Sequence, residues 1–191
     1  MKTVFEIKSG RMVISDPSYE LNELKNTTIE NVKNGKWDSV VIHSDDNKHI
    51  ESLIIINYKA FSEDESLFNE MNNLFEDENQ LPRLFSVDSG QFGFFDFDSY
   101  RNNIKCKKIK RHSKVIIEPE DAFYSICCDR TASEQGWGLL PFGVVSTSGH
   151  GDGLYEVFAL KNKQGEYCVF GVDFRNAFSE MINLIKTKSN E

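Results

Sequence analysis

Apolar and polar residues alternate in short runs along most of this chain, and few runs are long enough for anything beyond a strand. Residues 3–7 mix β-branched, aromatic and polar positions. Met12-Val13-Ile14 follows across Ser9-Gly10 and stops at Asp16-Pro17, where proline fixes φ and offers no ladder donor. Residues 19–26 suit a helical turn with Leu21 and Leu24 on one face. Runs at 29–32, 37–42 and 50–58 predict a three-strand meander, with Asn34-Gly35 as its hairpin turn and 44–48 as a second turn held by Asx bonds.

The pattern then changes to a helical period. Ser62-Glu63-Asp64-Glu65 has the form of a capping box, and Leu67, Phe68, Met71, Leu74 and Phe75 fall on one stripe that would pack on a sheet. Gln80-Leu81-Pro82 closes it. Residues 83–88 and 91–97 read as strand–turn–strand about Ser89-Gly90. They echo the start of the chain, since Ser9-Gly10, an apolar run, Asp16 and Ser18-Tyr19 match Ser89-Gly90, an apolar run, Asp96 and Ser99-Tyr100 with one insertion. Two copies are too few for a solenoid, so the echo reads as recurring turn chemistry.

Residues 104–114 form a basic stretch expected to be a strand, continuing through 115–117. Residues 120–130 fit either a helix or a strand, with the aromatics and cysteines favouring a strand, and 131–140 reads as a loop around Trp137. Residues 141–174 predict three strands joined by two glycine-marked turns, and Ala177, Phe178, Met181, Ile182, Leu184 and Ile185 an amphipathic helix over about 175–187. The expected fold is mainly β, a β-sandwich or curled antiparallel sheet with two amphipathic helices, in one domain over 1–191; α+β is the alternative.

Composition supports a folded chain: 39% of the 191 residues are hydrophobic and 12% aromatic, with 15 Phe. A net charge of −8 argues against whole-surface attraction to nucleic acid or an anionic membrane. No run is long enough to span a membrane as a helix, and the first residues lack the apolar core of a signal peptide. Cys106, Cys127, Cys128 and Cys168 fit neither a paired zinc site nor a disulfide framework, so reduced thiols in a cytoplasmic protein are expected.

Candidate chemistry centres on Ser148, Gly149, His150, Gly151, Asp152, Gly153 and Tyr155. The glycines allow positive φ and close backbone approach, and successive amides there could receive an anion. No Gly-Lys-Ser/Thr ending follows, and a strand comes next where a phosphate loop would have a helix. One carboxylate is too few for calcium. Asp16, Asp88, Asp96, Asp98 and Asp152 each end a strand beside Gly, Pro or Ser; gathered on one edge they could chelate a hard cation or act as an acid/base pair, although such residues are ordinary turn formers. Cys127-Cys128 with His43, His112 or His150 offers a thiol and base without a local signature. Lys107, Lys108, Lys110 and Arg111 are the candidates for nucleic-acid contact, without aromatics interleaved for stacking.

Gly10 through Asp16-Pro17, Val87-Asp88-Ser89-Gly90 with Phe95-Asp96, and Ser148-Gly149-His150-Gly151-Asp152-Gly153-Leu154-Tyr155 together resemble a bacterial family of about 200-residue proteins known only as a domain of unknown function. The resemblance implies a shared fold and a cytoplasmic bacterial origin, and supplies no activity. The leading expectation is a non-enzymatic binding module, immunity- or antitoxin-like, whose acidic surface masks a basic protein partner; no cofactor, no resident metal and no membrane association are expected. The alternatives are a divalent-metal hydrolase built on Asp88, Asp96, Asp152 and His150, and nucleic-acid binding through a basic strand at 105–114.

Overall fold

A computed structural model describes residues 4–21, 27–46, 48–111 and 120–175. Within them the chain opens with β1 (Val4–Ile7), β2 (Met12–Ser15), β3 (Thr27–Ile29), β4 (Gly35–His43) and β5 (Ile50–Asn57). Two short helices, α1 (Tyr58–Glu63) and α2 (Ser66–Glu70), precede β6 (Phe85–Val87) and β7 (Gln91–Asp96). Helices α3 (Asn103–Cys106) and α4 (Ala122–Thr131) follow, then β8 (Trp137–Leu140), β9 (Gly143–Thr147), β10 (Gly153–Tyr155), β11 (Val157–Lys161) and β12 (Tyr167–Asp173).

The architecture is mainly β, as expected, and every ladder between named strands is antiparallel. One five-stranded sheet has the order β1-β4-β5-β12-β11, the other β3-β2-β7-β9-β8, and β6 pairs with β10. Alternation along each strand sends Phe5, Trp37, Leu53, Ile55 and Phe170 of the first sheet against Met12, Ile14, Phe92, Phe94 and Val144 of the second. These side chains form the sandwich core, closed by Phe85, Val87 and Tyr155 of the β6–β10 pair. Parts of the outer faces are also covered, while Val4, Val40 and Ile42 of β1 and β4 stay exposed. Leu67, Leu74 and Ala60 lie over Ile54 and Phe158, and Phe123, Ile126 and Cys127 of α4 lie over Val13, Phe95 and Val145.

The echo seen in the sequence is a structural duplication. Strands β2 and β7 pair at the centre of their sheet, Met12 opposite Asp96 and Ser15 opposite Gly93. Asp96 at the end of β7 accepts the Lys8 and Ser9 amides (both 2.9 Å) of the turn before β2. Asp16 at the end of β2 accepts the Asp88 (2.8 Å) and Ser89 (2.7 Å) amides of the turn before β7. Gly10 and Gly90 sit at φ +68° and +67°. A third segment holds each glycine in the same way: Val32 N–H donates to the Gly10 carbonyl and Asn34 Oδ1 accepts its N–H, while Ser148 N–H donates to the Gly90 carbonyl and Asp152 Oδ1 accepts its N–H. The next strands also correspond, Ile7 pairing with Gly35 and Phe5 with Trp37, Val87 with Gly153 and Phe85 with Tyr155. A pseudo-twofold therefore relates β1–β2 with β3–β4 to β6–β7 with β9–β10.

This arrangement corrects several expectations. Asn34-Gly35 closes no hairpin, because β3 pairs with β2 in one sheet while β4 pairs with β1 and β5 in the other. The 141–174 segment has four strands spread over all three sheets, and β8 extends through Trp137 where a loop was expected. The expected helix from Ser62 starts instead at Tyr58, capped by Asn57, and breaks at Asp64, whose extended backbone lets its carboxylate cap Ser66. Ser62 Oγ turns back to Lys59 O. Residues 122–131 are a helix because Asp121 accepts the Tyr124 amide and one face of the segment, Phe123, Ile126 and Cys127, meets the sheet. The expected C-terminal helix at 175–187, the strand at 115–117 and most of the 19–26 turn lie outside the described residues.

Candidate functional site

Three stretches far apart in sequence meet at one end of the sandwich. The fully buried Asp16 carboxylate takes the Asp88 and Ser89 amides, the Ser89 hydroxyl (2.6 Å) and the Ser18 amide (2.8 Å), locking the 88–90 turn onto the end of β2. Gly90 then reaches the 148–153 loop through both its N–H and its carbonyl. These are the three motifs on which the family resemblance rests, and hydrogen bonds join them directly.

The loop is tightly built. Ser148 Oγ donates to Gly151 O (2.7 Å), and the Tyr155 hydroxyl lies 2.8 Å from Ser148 O and 2.7 Å from Gly151 O. Burial pushes the Tyr155 hydroxyl above its ordinary pKa, so it remains a neutral donor to the loop. Gly149 (φ +64°) and Gly151 (φ +97°) take left-handed conformations that favour glycine. Gly149 also packs against the Ile50 carbonyl and Phe174. Its neighbour His150 is exposed and lies beside His49, ring centroids 5.7 Å apart, which brings in the 44–49 turn. That turn is held as expected: Asp46 accepts the Ser44 hydroxyl and the Lys48 amide.

Of the expected site residues, Ser148, Gly149, His150, Gly151, Asp152, Gly153, Tyr155 and Asp88 share this end. Asp96 does not. It holds the 8–10 turn at the far end of β7, about 17–20 Å away at the usual rise per strand residue. Asp98 pairs with Arg11 beside it. Among the described residues no group of three or more His, Cys, Asp or Glu is placed to hold a metal ion. Cys127 is fully buried, His43 lies on β4, and His112 is outside the described residues.

The basic stretch is not a strand over its described part. Asn102 caps the Lys105 amide to start α3, and the chain turns after Cys106. Lys107, Lys108, Lys110 and Arg111 are exposed on that turn, while Lys105 is spent on Ser99 Oγ and Asp98 O. Sequence reasoning missed two features. One is a cavity of about 320 Å³ lined by Lys33, Ala60, Glu63, Asp64, Asn162, Lys163 and Gln164. Its charges are largely paired: Lys163 and Ser66 hold the lining Asp64 carboxyl below its ordinary pKa, and Lys33 pairs with Glu166, whose carboxyl Asn162 and Lys33 hold below its ordinary pKa. The other is a polar contact between β7 and α4, where Gln91 Nε2 lies 3.4 Å from Cys128 Sγ. Neither has a local sequence signal, because each is assembled from distant segments.

No helix among the described residues is long and apolar enough to cross a membrane. No curated protein and no solved structure matches the chain. A family profile described as a protein of unknown function, DUF4241, matches residues 5–172. That span begins in β1, ends in β12 and includes both halves of the duplication, so the chain belongs to the DUF4241 family.

Proposed function

We propose that this protein is a non-enzymatic binding module whose contact surface is the end carrying the 148–153 loop. The observation behind this reading is a difference between two otherwise matched turns. In the first half Lys33 alone separates Val32, which bonds Gly10, from Asn34, which caps it. In the second half Gly149, His150 and Gly151 separate Ser148 from Asp152, which do the same for Gly90. Joining the strands needs only the shorter link. The extra chain carries His150 into solvent beside His49, on an end that also exposes Asp88 and Asp152. Surface loops held by a rigid sheet are where binding groups commonly lie.

The partner that suits this end is a basic protein, drawn by the exposed carboxylates and a net charge of −8, in the manner of an immunity or antitoxin protein in the bacterial cytoplasm. The test is affinity capture from native lysate by three forms of the full chain: wild type, a variant with one glycine in place of Gly149-His150-Gly151, and Asp88→Lys. Wild type retains a defined basic protein, and both variants, melting cooperatively, lose it. Wild type that retains nothing, or variants that retain the same protein equally well, overturns the proposal.

A further inference from the structure

Cys128 differs from the other cysteines of the chain. Cys106, Cys127 and Cys168 are buried within apolar layers, and burial pushes all three thiols up, to about 12 for Cys106 and Cys168. Cys128 is half-buried, one helical turn after Tyr124 on the same face of α4. Both look towards the start of β7. The Gln91 side chain lies on the α4 side of the sheet, its Nε2 directed at Cys128 Sγ from 3.4 Å. Burial raises the pKa of the Tyr124 hydroxyl, with Cys128 and Ser89 among the groups that act on it.

The Gln91 amide is half used. Its residue is only 6% exposed, and the carbonyl oxygen Oε1 has no donor, a costly state for a buried acceptor. Oε1 belongs to the same planar amide, one amide width from the Nε2 that contacts the sulfur. A thiol is a weak donor. A sulfenic acid on the same sulfur adds one oxygen and an O–H, a stronger donor than the thiol and the kind of partner that Oε1 lacks.

We propose that Cys128 is an oxidation site, at which hydrogen peroxide converts the thiol to a sulfenic acid held by the Gln91 amide. Thiol and peroxide give sulfenic acid and water. The S–O bond forms as the O–O bond breaks, sulfur gives up two electrons to the departing oxygen, and the thiol proton leaves on that oxygen as water. The Gln91 amide faces the sulfur from 3.4 Å, and partial exposure admits the oxidant.

The folded full chain is treated with hydrogen peroxide in the presence of dimedone, and the adducts are mapped by peptide mass spectrometry. Cys128 is labelled while Cys106, Cys127 and Cys168 are not. Gln91→Met slows the labelling on the order of fivefold, the worth of one neutral hydrogen bond. Tyr124→Phe, at a half-buried position, slows it too and serves as the test if the Gln91 variant fails to fold. No adduct at Cys128, adducts at the buried cysteines as well, or unchanged rates in folded variants would each overturn the proposal.

Discussion

Gly149 and Gly151 look alike in the sequence and do different things. Both take positive φ, as glycines alternating with polar residues suggest they should. An added Cβ at Gly149, however, would lie 2.7 Å from the Ile50 carbonyl and 2.8 Å from Phe174 Cβ, whereas one at Gly151 meets nothing within 4 Å. Gly151→Ala therefore carries only the left-handed backbone cost, about 1–2 kcal/mol. Gly149→Ala adds overpacking against backbone and a buried ring, a further ~1–3 kcal/mol. Urea denaturation of the two variants separates the terms, and equal losses would contradict the close packing at Gly149. The positive φ was legible in the sequence. The contact was not, since it depends on β5 and β12 passing behind the loop.

At the level of elements, the same limit explains which expectations held. Individual strands expected at 12–14, 37–42 and 50–58 follow from local alternation, and β1, β2, β4, β5 and β7 lie within a residue or two of where it puts them, with Tyr58 opening α1 instead. Pairing does not follow from it: β3 and β4, adjacent in sequence across Asn34-Gly35, belong to different sheets because each answers to its partner in the duplication. The candidate site was legible in its parts, as the three motifs, and illegible in its assembly. The helix at 122–131 was masked by its aromatics and cysteines, and its only local signal was Asp121 at the N-cap. The duplication makes a sharp prediction about Asp16 and Asp96, each of which holds the turn before the other's strand. Asp16→Ala strands buried or half-buried donors at Ser18, Asp88 and Ser89, and Asp96→Ala strands those at Lys8, Ser9 and Ser99. Hydrogen bonds to a charged group are worth about 1.5–3 kcal/mol each, so both variants lose at least ~3 kcal/mol by chemical denaturation. A near-neutral Asp96→Ala beside a costly Asp16→Ala would break the equivalence of the two halves.

On the scale of the whole molecule, the sandwich core and the two outer layers enclose ionisable groups in their neutral forms, which sets how stability responds to alkali. Burial raises the pKa values of Cys106, Cys127, Cys168, Tyr100 and Tyr155, so the folded chain keeps these protons when the unfolded chain releases them. Thiols of the unfolded chain ionise near pH ~8.5 and its tyrosines near ~10. Below that range both states hold the protons and these groups impose no slope. Above it the unfolded state binds fewer protons than the folded one, so stability falls as pH rises and continues to fall until the folded groups themselves ionise. Once three thiols titrate only in the unfolded chain, the fall is on the order of 4 kcal/mol per pH unit at most. Urea midpoints measured from pH 7 to 10 should therefore be level to about pH 8 and then drop. Cys168→Ala, which removes one buried thiol from the layer beneath α1 and α2, should start from lower stability yet drop less steeply, by about one proton. A wild-type midpoint that stays level to pH 10 would mean that these thiols and phenols reach solvent in the native state, and that the three apolar layers are less closed than their packing indicates.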